Sequence, residues 1–242
     1  MKVATWNIQS CQRGLDAVAA VLCGLDADVV ALQEVDRGTL RSGRVDQARR
    51  LAQGAGFAHA RFFPAVDWGT GDYGLALLSR WPLAGERVGL LPNEGGREPR
   101  IHASAIVEAP GATLSVHLTH LTNLDTVRGL RLAQARRILE RLEDDPLPRV
   151  LAGDFNALPG GATHRAVRKV MRDAFHSVGE GPAGTYPLPW PLPAARIDYL
   201  FVSEGVGVAR AHVHATGASD HHPLVAEVRP PPPAAVALRR FA

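Results

Sequence analysis

Short apolar runs and helical stripes alternate along this chain. Lys2 to Ile8 reads as a buried strand, Leu15, Val18, Ala19 and Leu22 form a stripe of helical period closed by Gly24, and Asp28 to Gln33 is a second buried strand. The opening is therefore a βαβ unit. Residues 45–54 carry a helical pattern. Strand-like runs follow at 58–63, 74–79, 87–91, 101–108 and 113–119, punctuated by Gly and Pro, and they read as an antiparallel meander. A long amphipathic pattern from Asp125 to Leu142 passes through Leu130, Ala133, Ile138 and Leu142; the apolar strand Arg149 to Ala152 then leads into Asp154. Beyond it a helix is expected over 163–171 and strands over 196–202, 206–213 and 223–228. Mixed sheets covered by helices fit this order best.

Two stretches lack periodicity. Gly179 to Pro193 is rich in Pro and Gly and holds Thr185, Tyr186 and Trp190, so it is either a wall of a site or an ordinary surface loop. Pro230 to Ala242, with four consecutive prolines, is expected to be an extended or disordered tail following a single domain over 1–229.

Composition narrows the class. With 242 residues, 46% of them hydrophobic, the chain can bury a substantial core as one domain. The first residues form a strand, not a charged segment followed by a long apolar run, and no window approaches a membrane span; a cytoplasmic monomer is expected. Cys11 and Cys23 have no second pair with which to complete a zinc site and read as packing thiols. A net charge of +3 tolerates a phosphate-bearing substrate without demonstrating a nucleic-acid partner. Arg165, Arg168, Lys169 and Arg172 are expected on one helix face, which could follow a nucleic-acid backbone or be plain solvated surface.

The chemistry lies at the strand ends. Asn7, Glu34, His120, Asp154 with Asn156, Asp198, and Asp220 with His221 each sit where a predicted strand emerges. Hard-oxygen donors and imidazoles gathered at one pole of a sheet describe a divalent-metal hydrolytic site. Glu34 follows Val29-Val30-Ala31-Leu32, so its charge leaves a buried strand and needs a cation, either magnesium or manganese, or else a rim salt bridge. Asn7 and Asp220 are its expected companions at the metal. In an extended segment Asp154 and Asn156 would project to one side, the first taking a proton and the second donating to a phosphate oxygen; the alternative is an Asx turn. Arg100, with Arg97 competing, is a candidate phosphate clamp.

The series Trp6-Asn7-Ile8, Gln33-Glu34-Val35, Thr119-His120-Leu121, Gly153-Asp154-Phe155-Asn156, Arg196-Ile197-Asp198-Tyr199 and Ser219-Asp220-His221-His222-Pro223 resembles the endonuclease/exonuclease/phosphatase superfamily from the first strand to about Val228. The resemblance implies a four-layer α/β sandwich of two packed mixed sheets flanked by helices. It implies a Mg²⁺- or Mn²⁺-dependent phosphoester hydrolase in which Asn7, Glu34 and Asp220 serve the metal and Asp154 orients or activates water. It further implies that Asn156 supports Asp154 and the phosphoryl group, that Asp198 holds His221, and that His221 contacts the scissile phosphate. His120 would be a second phosphate contact or a core histidine, with Asp72 as a possible orienting partner, and His222 is structural. Fold does not fix substrate. A phosphodiesterase or nuclease is the leading expectation. A phosphatase or phospholipase-type enzyme acting on a phospholipid, inositol phosphate or nucleotide is the alternative, and a non-catalytic binding protein is a third. Ala194-Ala195 stands where apurinic-site nucleases carry Gly-Trp before Arg-x-Asp-Tyr.

Overall fold

In the computed structural model of the chain, residues 1–94, 96–123 and 129–232 are described. The first sheet is built from strands β1 (Lys2–Asn7), β2 (Val29–Arg37), β3 (His59–Asp67) and β4 (Asp72–Ser79). The second takes β5 (Leu83–Leu90), β6 (Ile101–Ala109), β7 (Ala112–His120), β8 (Arg149–Asp154), β9 (Arg172–Asp173) and β11 (Asp198–Val202). Three late strands, β10 (Gly179–Glu180), β12 (Gly207–Val213) and β13 (Leu224–Arg229), complete the first sheet in the order β10-β12-β13-β1-β2-β4-β3. The second runs β5-β6-β7-β8-β11-β9. Both are mixed: β1 pairs parallel to β2, β7 pairs parallel to β8, and the remaining pairings of the long strands are antiparallel.

Strand alternation explains the layering. Val3, Val29 and Ala31 of the first sheet pack with Val116, Leu118, Val150 and Leu200 of the second, forming the core between the sheets. The intervening residues Ala4, Trp6, Val30 and Leu32 face helices α1 (Leu15–Leu25) and α2 (Gln47–Ala55). On the far side, Leu151, Tyr199 and Phe201 of the second sheet pack against Ile138 and Leu142 of α3 (Leu130–Glu143) and Val167 of α4 (Ala162–Arg168). The result is helix, sheet, sheet, helix, the four-layer sandwich expected. Helix α2 starts where Asp46 caps the Arg49 N–H at 3.0 Å and ends at Gly56 in the left-handed region.

Several expected boundaries move. The run from 58 to 119 is not one meander: β3 and β4 join the first sheet and β5–β7 the second, because the chain crosses between layers after Ser79. Strand β2 continues past Gln33 through a bulge between Leu32 and Val35. The helix expected over 163–171 stops at Arg168, and Arg172 lies in β9, so the four basic residues do not share one helical face. Helix α5 (Ala174–Val178) has no counterpart among the expected elements. The expected helix start at 125–128 and most of the expected tail, 233–242, lie outside the described residues. No described helix is long and apolar enough to cross a membrane.

Candidate active site

Two parallel strand pairs at the centres of facing sheets send their carboxyl ends to one pole, where three of the four strands end in Asn7 on β1, His120 on β7 and Asp154 on β8. Antiparallel β11 begins there, with Asp198 directly opposite Asp154. Gly153 lets β8 lie this close to β7: it sits at φ 154°, and a Cβ on it would collide with the Thr119 carbonyl oxygen. Glu34 reaches the same pole by a different device. In an unbroken strand it would face the helices with Val30 and Leu32; the β2 bulge, with Glu34 at φ 56°, turns it toward Asn7.

One carboxylate oxygen is the focus. Asp154 Oδ2 accepts from Asn7 Nδ2 at 3.2 Å and lies 3.5 Å from His120 Nε2 and 3.7 Å from His221 Nε2. The other oxygen accepts the Asn156 backbone N–H at 2.9 Å, an Asx turn with Asn156 left-handed at φ 48°. The segment is thus turned, not extended, and the expected shared face of Asp154 and Asn156 is replaced by this turn. Asn156 Nδ2 donates to the Leu121 carbonyl at 3.0 Å.

His221 Nδ1 lies 2.9 Å from Asp198 Oδ2, the pairing expected for these two residues. Burial opposes a charged imidazole, but Asp198, Asp154 and Asp220 outweigh it and push the His221 pKa up to about 10. Burial, reinforced by the Asp198 charge, raises Asp154 above the ordinary carboxyl range. His221 is also fixed from outside: Trp6 Nε1 donates to its carbonyl at 2.9 Å, and Tyr186 lies against its ring with centroids 4.8 Å apart. The 179–193 loop is therefore a wall of the site, anchored where Thr185 Oγ1 accepts the Asp198 N–H at 3.2 Å. His222 faces away, its Nδ1 accepting from Thr216 N at 3.3 Å.

His120 has a different support. Its Nδ1 lies 2.9 Å from Arg100 Nη1, and a guanidinium only donates, so Nδ1 accepts and the proton sits on Nε2, facing Asp154. Burial, with the Arg100 and His221 charges, holds His120 neutral. Arg100, expected at the phosphate, is buried behind His120 and also pairs with Glu98 at 2.7 Å. Asp72, a possible partner of His120 by sequence, pairs instead with Arg37. The reason is steric order along β4: Tyr73, not Asp72, reaches the Arg100 side.

Glu34 Oε1 accepts from Asn7 Nδ2 at 2.9 Å, and burial together with Asp220 lifts its pKa above the ordinary carboxyl range. Gln9, which no sequence signal marks, ties this corner together: its N–H donates to Asn7 Oδ1 at 3.0 Å and its Nε2 to Asp220 Oδ2 at 3.0 Å. Among the described residues, the His, Asp and Glu ligand atoms that lie within 4.8 Å of one another belong to Asp154, Asp198 and His221, a group without Glu34 or Asp220. Within that trio, Asp198 and His221 are already joined by their own hydrogen bond. Glu34, half-buried and with Oε2 uncommitted among the described residues, is the better match to a hydrated hard cation.

Comparison with known proteins agrees with the geometry. The sequence profile described as the endonuclease/exonuclease/phosphatase family matches residues 4–221. No curated protein matches. Among solved structures, a conserved protein of unknown function from Enterococcus faecalis V583 superposes with a TM-score of 0.79 at 26% identity, covering 96% of this chain and 100% of that one. An endonuclease/exonuclease/phosphatase from Beutenbergia cavernae DSM 12333 superposes with a TM-score of 0.80 at 28% identity, covering 95% of this chain and 71% of the other. A mannosyl-6-phosphatase from Bacteroides thetaiotaomicron VPI-5482, 18% identical over 95% of this chain and 99% of its own, shares the fold with a TM-score of 0.75.

Proposed function

The chain belongs to the endonuclease/exonuclease/phosphatase family, and from that footing we propose that it is a Mg²⁺- or Mn²⁺-dependent phosphodiesterase or nuclease that hydrolyses its substrate by in-line attack of water. The observation that carries this reading is the convergence of Asn7, His120 and His221 on Asp154 Oδ2.

Asp154 is the general base. A carboxyl that burial lifts above the ordinary range is better matched to accepting a proton near neutral pH. Water attacks phosphorus, its proton passes to Asp154, and the bond to the leaving oxygen breaks with its electron pair going to that oxygen. His120 Nε2–H and His221 Nε2–H donate to the non-bridging oxygens, where negative charge builds. Asp198 positions His221, and Arg100 positions His120. Asn156 fixes the Asp154 carboxylate through its backbone N–H, and its second amide hydrogen is left for the phosphoryl group.

Glu34, with Asn7 and Asp220, would hold the ion. Oxygen donors, one half-buried carboxylate and a second acidic group nearby suit magnesium, which keeps several waters and takes few protein carboxylates. When bound, the ion supplies charge neutralisation at the phosphoryl group.

The test is a screen in Mg²⁺ and in Mn²⁺ over plasmid DNA, single-stranded oligonucleotides, an abasic duplex, a generic phosphodiester, sphingomyelin and inositol phosphates. Cleavage of a diester that disappears in Asp154→Ala supports the proposal. Release of phosphate from monoesters alone shifts the assignment to a phosphatase, and binding without turnover to a non-catalytic protein.

A further inference from the structure

The outer face of the second sheet carries a cavity of about 450 Å³ that takes no part in the reaction above. His117 lies three residues before His120 on β7, and that odd spacing puts it on the opposite side of the strand. The floor is formed by His102 and Ser104 of β6 with Ser115 and His117 of β7; the C-terminal end of α3, the segment after it and β5 form the walls.

Three observations make this a built site. First, a hydrogen-bonded relay crosses the floor: Asp145 Oδ2 lies 2.9 Å from His117 Nε2, and His117 Nδ1 lies 3.0 Å from His102 Nε2. A carboxylate only accepts, so His117 donates from Nε2 and accepts at Nδ1, and His102 donates from Nε2. His102 Nδ1 is left as an acceptor without a partner among the described residues, on a side chain more than nine-tenths buried. Burial keeps both imidazoles neutral. Second, the Ser104 hydroxyl, on a residue buried to a similar degree, makes no hydrogen bond to any described residue. Neither polar atom is sealed away: both residues line the cavity, where a ligand can meet them. Third, the Arg87 guanidinium lines the cavity, acts on His117 through its charge, and has no ion pair or hydrogen bond among the described residues. Arg141, the other cation of the lining, spends its donors on the Gly89 and Leu90 carbonyls.

We propose that this cavity binds a hydroxylated monocarboxylate of sugar-acid size, its carboxylate on Arg87 and its hydroxyls on His102 Nδ1 and Ser104. A single uncommitted cation sharing the lining with the carboxylates of Asp144 and Asp145 suits one negative charge better than a phosphate dianion, and a guanidinium pairs a carboxylate through two parallel bonds. Hydroxyls both donate to His102 and accept from Ser104. The volume falls within the roughly 300–1,000 Å³ of small-molecule sites.

D-Glucuronate titrated in EDTA, which keeps the metal site out of the measurement, tests this through the ¹⁵N resonances of the His102 and His117 side chains. Saturable shifts at millimolar ligand are expected, with D-glucose at least about tenfold weaker and Arg87→Gln weakening glucuronate by about tenfold or more. Arg87 is exposed, so this variant keeps the fold; Ser104→Ala supplies a second check that removes only the hydroxyl. Absence of saturable shifts, or shifts unchanged in both variants, overturns the proposal.

Discussion

At the candidate site His120 is set by a cation, not a carboxylate: Arg100 Nη1 donates to His120 Nδ1 across 2.9 Å. His221, held by Asp198, is kept charged, whereas His120 is kept neutral with its proton aimed at Asp154. The two histidines are thus donors of different kinds at one carboxylate.

Replacing Arg100 with Lys keeps the charge and loses the planar fork that reaches both His120 and Glu98. Turnover should fall by about 10–100-fold, as for other residues that orient a reacting group. The check is kcat measured beside the ¹⁵N pattern of His120, whose tautomer should become mixed. A fixed Nε2–H tautomer with full activity would remove Arg100 from this role.

Asp198→Asn removes the charge that holds His221 protonated while preserving shape. A loss of about 10–100-fold in kcat is expected, as for other residues that orient a reacting group. Some loss of folding stability is expected beside it, because the variant strips a buried imidazole of its counter-charge, so kcat is compared per folded molecule. Equal losses of activity and of folded protein would point to a structural role instead.

Glu34→Gln leaves the Asn7 contact possible and removes a negative charge from the proposed ion site. The Mn²⁺ concentration for half-maximal turnover should rise about tenfold or more. Unfolding gives a second readout: at a hundred times its dissociation constant an ion stabilises the native state by about 2.7 kcal/mol, and this gain should be missing from the variant. EDTA should abolish turnover in the wild type. Activity that survives chelation would rule out the metal requirement.

Asp145 provides a stability test away from the reaction. Burial opposes its ionisation, but bonds from His117, Ser115 and the Leu147 N–H outweigh this and lower its pKa from 3.8 to about 2. A depressed folded pKa contributes stability above pH 3.8 that is lost as pH falls toward 2. Its side chain is 14% exposed, so a contribution on the order of 2 kcal/mol is expected. Urea melts of the wild type and Asp145→Asn should differ by this amount at pH 7 and converge near pH 2. A gap that persists at pH 2 would refute the charge-based origin.

Much of the pole is readable from residue order because a polar side chain at the end of an apolar run is costly unless something meets it. Asn7, Asp154, Asp198 and His221 follow or open such runs and do gather. By its apolar run Glu34 belongs at a strand end, yet it lies within β2 and depends on a bulge, a local insertion that hydrophobic period does not mark. The division of β3–β4 from β5–β7 escapes for a related reason: alternation tells which residues face a core, not which sheet a strand joins. Arg100 is marked by sequence for a phosphate but not for His120, and nothing local marks Gln9, because the contacts that matter join them to His120 and Asp220 far along the chain. Strand β9, helix α5 and strand β10 are too short to establish a period.

The Trp6 indole grips the His221 carbonyl across 215 positions of chain. During synthesis, a polypeptide that has emerged only as far as Asp154 and Asp198 carries a carboxylate pair with no imidazole from His221 beside it, and its amino-terminal strand has nothing to grip. The geometry of this pole is therefore closed only when the last strand returns to pair with the first, which makes the two ends of the described fold jointly responsible for one site.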